Sequence, residues 1–111
     1  MTDLLAGMRV LDVSMWRPMP HATQILCDLG ADVLKVERPG GDPMRGYPEL
    51  FAALARGKRS IELDLKQGDG MARSLELVAE CDVFCESWRP GVADRLGLGA
   101  NELRARRPEL I

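Results

Sequence analysis

The sequence predicts an α/β fold: a Rossmann-like, mostly parallel sheet with flanking helices. Three observations lead there. Strand-length apolar segments alternate with segments of helical period in the order β–α–β–loop–β–α–β. Gly and Pro clusters punctuate the junctions. No internal repeat or low-complexity stretch points to another architecture.

Residues 8–13 (MRVLDV) are short and apolar, a buried strand. Beyond Trp16-Arg17-Pro18-Met19-Pro20, the residues Ala22, Ile25, Leu26 and Leu29 fall at i, i+3, i+4 and i+7. They predict the buried face of a helix that stops at Gly30. Asp32–Glu37 alternates as a second strand and ends at Arg38-Pro39-Gly40-Gly41. Residues 42–59 read as loop, with a short helix over LFAALA. Ile61, Leu63 and Leu65 alternate with Glu62 and Asp64, a third strand. Gln67-Gly68-Asp69-Gly70 opens a helix with Met71, Leu75, Val78 and Ala79 on one face. Asp82–Glu86 is a fourth strand, and Val92–Arg107 is one or two short helices. Pro108–Ile111 resembles the entrance to a further strand. The expectation is therefore that residues 1–111 are the N-terminal part of a larger domain.

Charge and cysteine usage narrow the function. Fifteen Lys and Arg against 17 Asp and Glu give a net charge of −2, without the basic excess of a non-specific nucleic-acid binder. Any cationic site must arise by clustering, as in RGKRSIELDLK over residues 56–66. No signal peptide or apolar run of membrane-spanning length is visible, so neither nucleic acid nor membrane is an expected partner. Cys27, Cys81 and Cys85 form no redox or zinc motif and read as incidental thiols of a cytoplasmic protein. His21 is the lone histidine, so a role in the first turn of a helix or at the surface is favoured over a metal site, and no metal is expected.

In open α/β sheets ligands bind beyond the carboxyl ends of the strands. Those ends carry Ser14–Pro20, Glu37-Arg38-Pro39, Leu65-Lys66 and Ser87-Trp88-Arg89. All four hold a cation and two an indole, which suits a ligand with phosphates and a flat ring. A dinucleotide fits poorly. The first turn, SMWRPMPH, lacks the glycines of the Rossmann fingerprint, although Glu37 and Arg38 could imitate ribose and phosphate ligands.

The segments LAGMRVLDVS, ATQILCDLGADVLKVERPGGDPMRG, RGKRSIELDLK and RPGVADRLGLG resemble, in order, the start of the family III CoA-transferases. That family includes formyl-CoA and crotonobetainyl-CoA transferases, and α-methylacyl-CoA racemases share its fold. The resemblance covers essentially the whole chain. It implies coenzyme A or an acyl-CoA as substrate, with a carboxylic acid as second partner and no tightly bound cofactor. It also implies an interlocked homodimer in the full-length protein. By motif, Arg38 would face the phosphorylated adenosine, and Leu63-Asp64-Leu65-Lys66 would border the nucleotide. Ser87-Trp88-Arg89 would bring the aromatic against CoA, Arg95 would contact it, and Arg17-Pro18 would lie beside the thioester. Arg56, Lys58 and Arg59 would flank the site, by charge or by local folding.

Three departures stand out. Pro18-Met19-Pro20 replaces a common Ala-Gly-Pro, Ser87 replaces a common Asn, and the loop between Arg38 and Arg56 is short. In the transferases an Asp attacks the thioester to form an acyl-enzyme anhydride, and in the racemases a His/Asp pair moves the α-proton. Both sets would lie beyond Ile111, so no catalytic residue is assigned here and the 111-residue chain alone is expected to be inactive. A racemase portion and a non-catalytic CoA-binding remnant remain the alternatives.

Overall fold

A computed structural model describes residues 3–111. Met1 and Thr2, the first residues of the domain predicted over 1–111, lie outside the described residues. Among the described residues four strands form one sheet: β1 (Arg9–Asp12), β2 (Asp32–Glu37), β3 (Arg59–Glu62) and β4 (Val83–Cys85). Their order is β3-β2-β1-β4, and every pairing is parallel. This is a doubly wound strand order, with the reversal between β1 and β4. Ile111 donates to the Asp82 carbonyl and accepts from the Phe84 amide, as one residue of a parallel neighbour of β4 would.

The helices are α1 (Pro18–Asp28), α2 (Pro48–Ala55), α3 (Gly68–Ala79), α4 (Val92–Leu96) and α5 (Ala100–Arg106), with a 3-10 turn at Pro43–Gly46. Strand alternation sends side chains to two faces. Leu11, Val13 and Val36 pack with Val78, Leu98, Leu103 and Leu110, an apolar layer under α3 and α5. Val10, Val33 and Cys85 pack on the other side with Met19 and Leu26 of α1. That second face also buries Asp12, Lys35 and Glu37.

Two elements depart from the sequence expectation. The buried face of α1 is Pro20, Thr23 and Gln24, while Ala22 and Ile25 are exposed. The helix is turned by polar partners. The Thr23 hydroxyl donates to Asp12, and the Gln24 amide donates to Asp28 Oδ1 and to the Arg56 carbonyl. Pairing the buried Asp12 carboxylate and the Gln24 amide nitrogen outweighs the apolar stripe, although Gln24 Oε1 itself finds no partner. The third strand starts at Arg59 and ends at Glu62, earlier than Leu65. Its last rung is Leu63 N to Glu37 O, because β2 runs into Pro39, which has no N–H to offer.

Candidate functional site

The carboxyl ends of the strands frame a set of adjoining grooves. Val13, Met15, Val36, Arg38, Leu63, Asp64, Leu65, Lys66, Trp88 and Leu96 line a cavity of about 210 Å³. Arg38, Gly40, Gly41, Asp64 and Lys66 line an adjoining groove of about 420 Å³. Leu65, Lys66, Arg95 and Leu96 line a third, also about 420 Å³. Lys66 borders all three spaces.

Local chemistry shapes each wall. Asp64 Oδ1 accepts from the Lys66 amide at 3.0 Å and the Asp64 carbonyl accepts from Gln67 N. This Asx turn stops β3 and swings the chain into α3. A Cβ on Gly70 would stand 2.0 Å from the Asp64 carbonyl oxygen, so only glycine lets α3 sit against the turn. On the other wall, Gly40 and Gly41 take φ of 89° and 92° to reverse the chain after Arg38. Trp88 is half-buried and packs on the apolar layer, so its indole is part of the wall.

The structure thus brings Arg38, Leu63, Asp64, Leu65, Lys66 and Trp88 to one cavity, with Arg95 in the adjoining groove. Four other sequence-predicted residues do not line these spaces. Arg17 and Pro18 are exposed at the first turn of α1. Ser87 accepts from the Met15 amide at 3.1 Å, tying the loop after β4 to the loop after β1. Arg89 is exposed beyond it.

The basic loop before β3 has a structural role. Arg56 pairs with Asp28 at 2.6 Å and Arg59 with Asp32 at 2.9 Å, both at the amino edge of the sheet. The Lys58 side chain is 1% exposed and donates to Thr23 Oγ1 at 2.7 Å and the Pro20 carbonyl at 2.9 Å, 3.4 Å from Asp12. Burial pulls its pKa below the ordinary lysine value, and the Asp12 carboxylate opposes that. Of the two roles expected for these residues, local folding is the one the contacts support. By contrast, Arg17, Arg38, Lys66, Arg89 and Arg95 form no ion pair among the described residues.

Beneath Arg38 lies a charged layer that the sequence reading passed over. Glu37 is 4% exposed and accepts from Arg45 Nε and Nη2, each at 2.7 Å, from Asp42 N at 2.8 Å and from the Ser60 hydroxyl. The Arg45 guanidinium, helped by Ser60 and the Asp42 amide and opposed by burial, holds its pKa at about 2 against an ordinary 4.5. Lys35 Nζ lies 2.7 Å from Asp42 and donates to the Ser14 carbonyl at 3.2 Å. The available signal was DVLKVE itself: a strand covered on both faces buries its Lys and Glu, which then need partners. Asp42 and Arg45 are close by in sequence.

Comparison with known proteins agrees with this architecture. A profile of CoA-transferase family III matches residues 5–111. The succinyl-CoA–L-malate CoA-transferase alpha subunit of Chloroflexus aurantiacus is 41% identical over 96% of the chain and 27% of its own length. The formyl-CoA:oxalate CoA-transferase of a Bradyrhizobium species is 42% identical over 100% of the chain and 28% of its own length. A CAIB/BAIF family protein from Brucella suis superposes with a TM-score of 0.95 at 38% identity, over 100% of this chain and 32% of that one. The chain spans roughly three-tenths of these relatives' length, and it belongs to CoA-transferase family III.

Proposed function

We propose that this chain is the CoA-binding segment of a family III CoA-transferase, which moves CoA between carboxylic acids. One observation carries the reading: Arg38 and Lys66, free of ion pairs, border a common groove beside the half-buried Trp88. Unpaired cations at strand ends suit phosphates, and a fixed indole suits an adenine face. The names of the relatives, succinyl-CoA–L-malate and formyl-CoA:oxalate CoA-transferase, support CoA thioesters and carboxylic acids as the substrate classes.

In the full protein an Asp beyond residue 111 would attack the thioester carbonyl, breaking the C–S bond and forming an aspartyl-acyl anhydride. The contribution of the present residues is to grip the nucleotide while the thiol end is free. Binding remote from the reacting atoms keeps the departed thiolate at high effective concentration. Arg95 would extend the same grip. Interlocked dimerisation and a cytoplasmic location go with this reading. On the chain alone, a thioester-exchange assay should give no turnover above buffer.

Calorimetric titration of CoA and dephospho-CoA tests the binding claim. Arg38→Ala should weaken CoA by roughly ten- to hundredfold and dephospho-CoA much less, as loss of a charge-assisted contact requires. Trp88→Ala should weaken both equally. Unchanged affinities in both variants would remove the site.

A further inference from the structure

The turn that carries Arg38 has two successive glycines, a form that can in principle cradle a phosphate with its amides. Its hydrogen bonds exclude that. Gly40 N donates to Glu62 Oε1 at 3.0 Å, Gly41 N to the Arg38 carbonyl at 2.8 Å and Asp42 N to Glu37 Oε1 at 2.8 Å. Met44 N donates to Asp42 Oδ1 at 2.8 Å and Arg45 N to the Asp42 carbonyl at 2.9 Å. Pro39 and Pro43 have no N–H. Every amide from residue 39 to 45 is therefore occupied inside the protein. An anion-binding nest needs successive amides pointing outward, and none is left.

We propose that Glu37, supported by the buried Lys35–Asp42 pair, is a positioning residue that fixes the Arg38 turn, and that ligand phosphate is recognised there by side-chain cations alone. This deepens the CoA-binding reading and rests on it for the identity of the ligand. The geometry of the support is specific. Both Glu37 oxygens accept two bonds each, filling the capacity of a carboxylate. Those bonds join the turn, the 3-10 segment through Arg45, and β3 through Ser60. Lys35 ties Asp42 to the end of β1 through the Ser14 carbonyl. Arg38 is the only residue between Glu37 and the two-proline, two-glycine reversal that offers a charged side chain to the groove.

The test combines amide exchange on the free chain with ligand discrimination. In Glu37→Gln, exchange at Gly41 and Asp42 should speed up about tenfold relative to the β1 amides, because the turn is released locally. The preference for CoA over dephospho-CoA should fall at least about threefold, as Arg38 loses its fixed aim. Glu62→Ala, at an exposed position whose carboxylate accepts only from Gly40 N, should speed exchange at Gly40 alone. Exchange at Gly41 and Asp42 unchanged in Glu37→Gln would overturn the positioning claim, whatever Glu62→Ala shows. An unchanged CoA preference in Glu37→Gln, with Arg38→Ala abolishing it, would also overturn that claim while leaving the CoA site intact. A preference untouched by Arg38→Ala would instead overturn the CoA site and the recognition claim that rests on it.

Discussion

The two edges of the sheet treat their cations differently. At the amino edge Arg56, Arg59 and Arg107 each meet an aspartate: Asp28, Asp32 and Asp82. At the carboxyl edge Arg38, Lys66 and Arg95 border open grooves and meet no carboxylate within ion-pair distance among the described residues. Arg59 and Lys66 are seven positions apart in the sequence, yet β3 and the turn after it carry them to opposite sides of the molecule. Basic residues that cluster in sequence need not cluster in space. A carboxylate partner marks a cation that serves the fold. A cation left for a ligand lacks such a partner and also borders a groove, which the equally unpaired Arg17 and Arg89 do not.

The contrast predicts that removing a cation costs stability where it is paired inside and costs ligand where it is free. The largest effect should come from Lys35→Ala, which leaves the Asp42 carboxylate buried without its partner. Urea unfolding should show a loss of about 3–5 kcal/mol. Acid should act next. The Glu37 carboxyl is depressed in the fold to about 2 from 4.5. Its contribution is therefore complete above pH 4.5 and is lost as pH falls toward 2, on the order of 3 kcal/mol. Stability measured across that window should fall more steeply in the wild type than in Glu37→Gln.

Gly70→Ala is the third test. A methyl at 2.0 Å from the Asp64 carbonyl must push α3 off the Asx turn. The expected cost is about 1–3 kcal/mol, with shifted amide resonances at Asp64–Lys66. The smallest effect belongs to Arg59→Ala. Both partners of its pair are about half exposed or more, so thermal unfolding should register less than about 1 kcal/mol.

Much of the fold was legible because strand length, helical period and Gly/Pro punctuation all pointed the same way. β1, β2, β4 and α3 fall within a residue or two of their expected positions. What was hidden depended on partners distant in sequence. The Ala22–Ile25 stripe looked buried because pattern reading weighs apolar side chains. Thr23 reaches Asp12, and Lys58 reaches Thr23 from 35 positions away. The strand ends gave Arg38, Lys66 and Trp88, since any parallel sheet gathers such residues at one edge. Arg17, Ser87 and Arg89 sit at that edge too, yet Arg17 and Arg89 do not line the grooves and Ser87 braces a neighbouring loop. Glu37 was noticed only as a possible ribose ligand, and its buried pairing with Arg45 and the Lys35–Asp42 pair were missed. Alternation alone suggests a strand half open to solvent, whereas β2 is covered on both faces.

The most direct measurement is calorimetric titration of CoA into two double variants of equal charge change. Arg38→Ala with Lys66→Ala, at the carboxyl edge, should weaken binding by about a hundredfold, whereas Arg56→Ala with Arg59→Ala should stay within about twofold of wild type. Equal losses in both variants, or a larger loss in the amino-edge pair, would contradict the assignment of the free cations to the ligand.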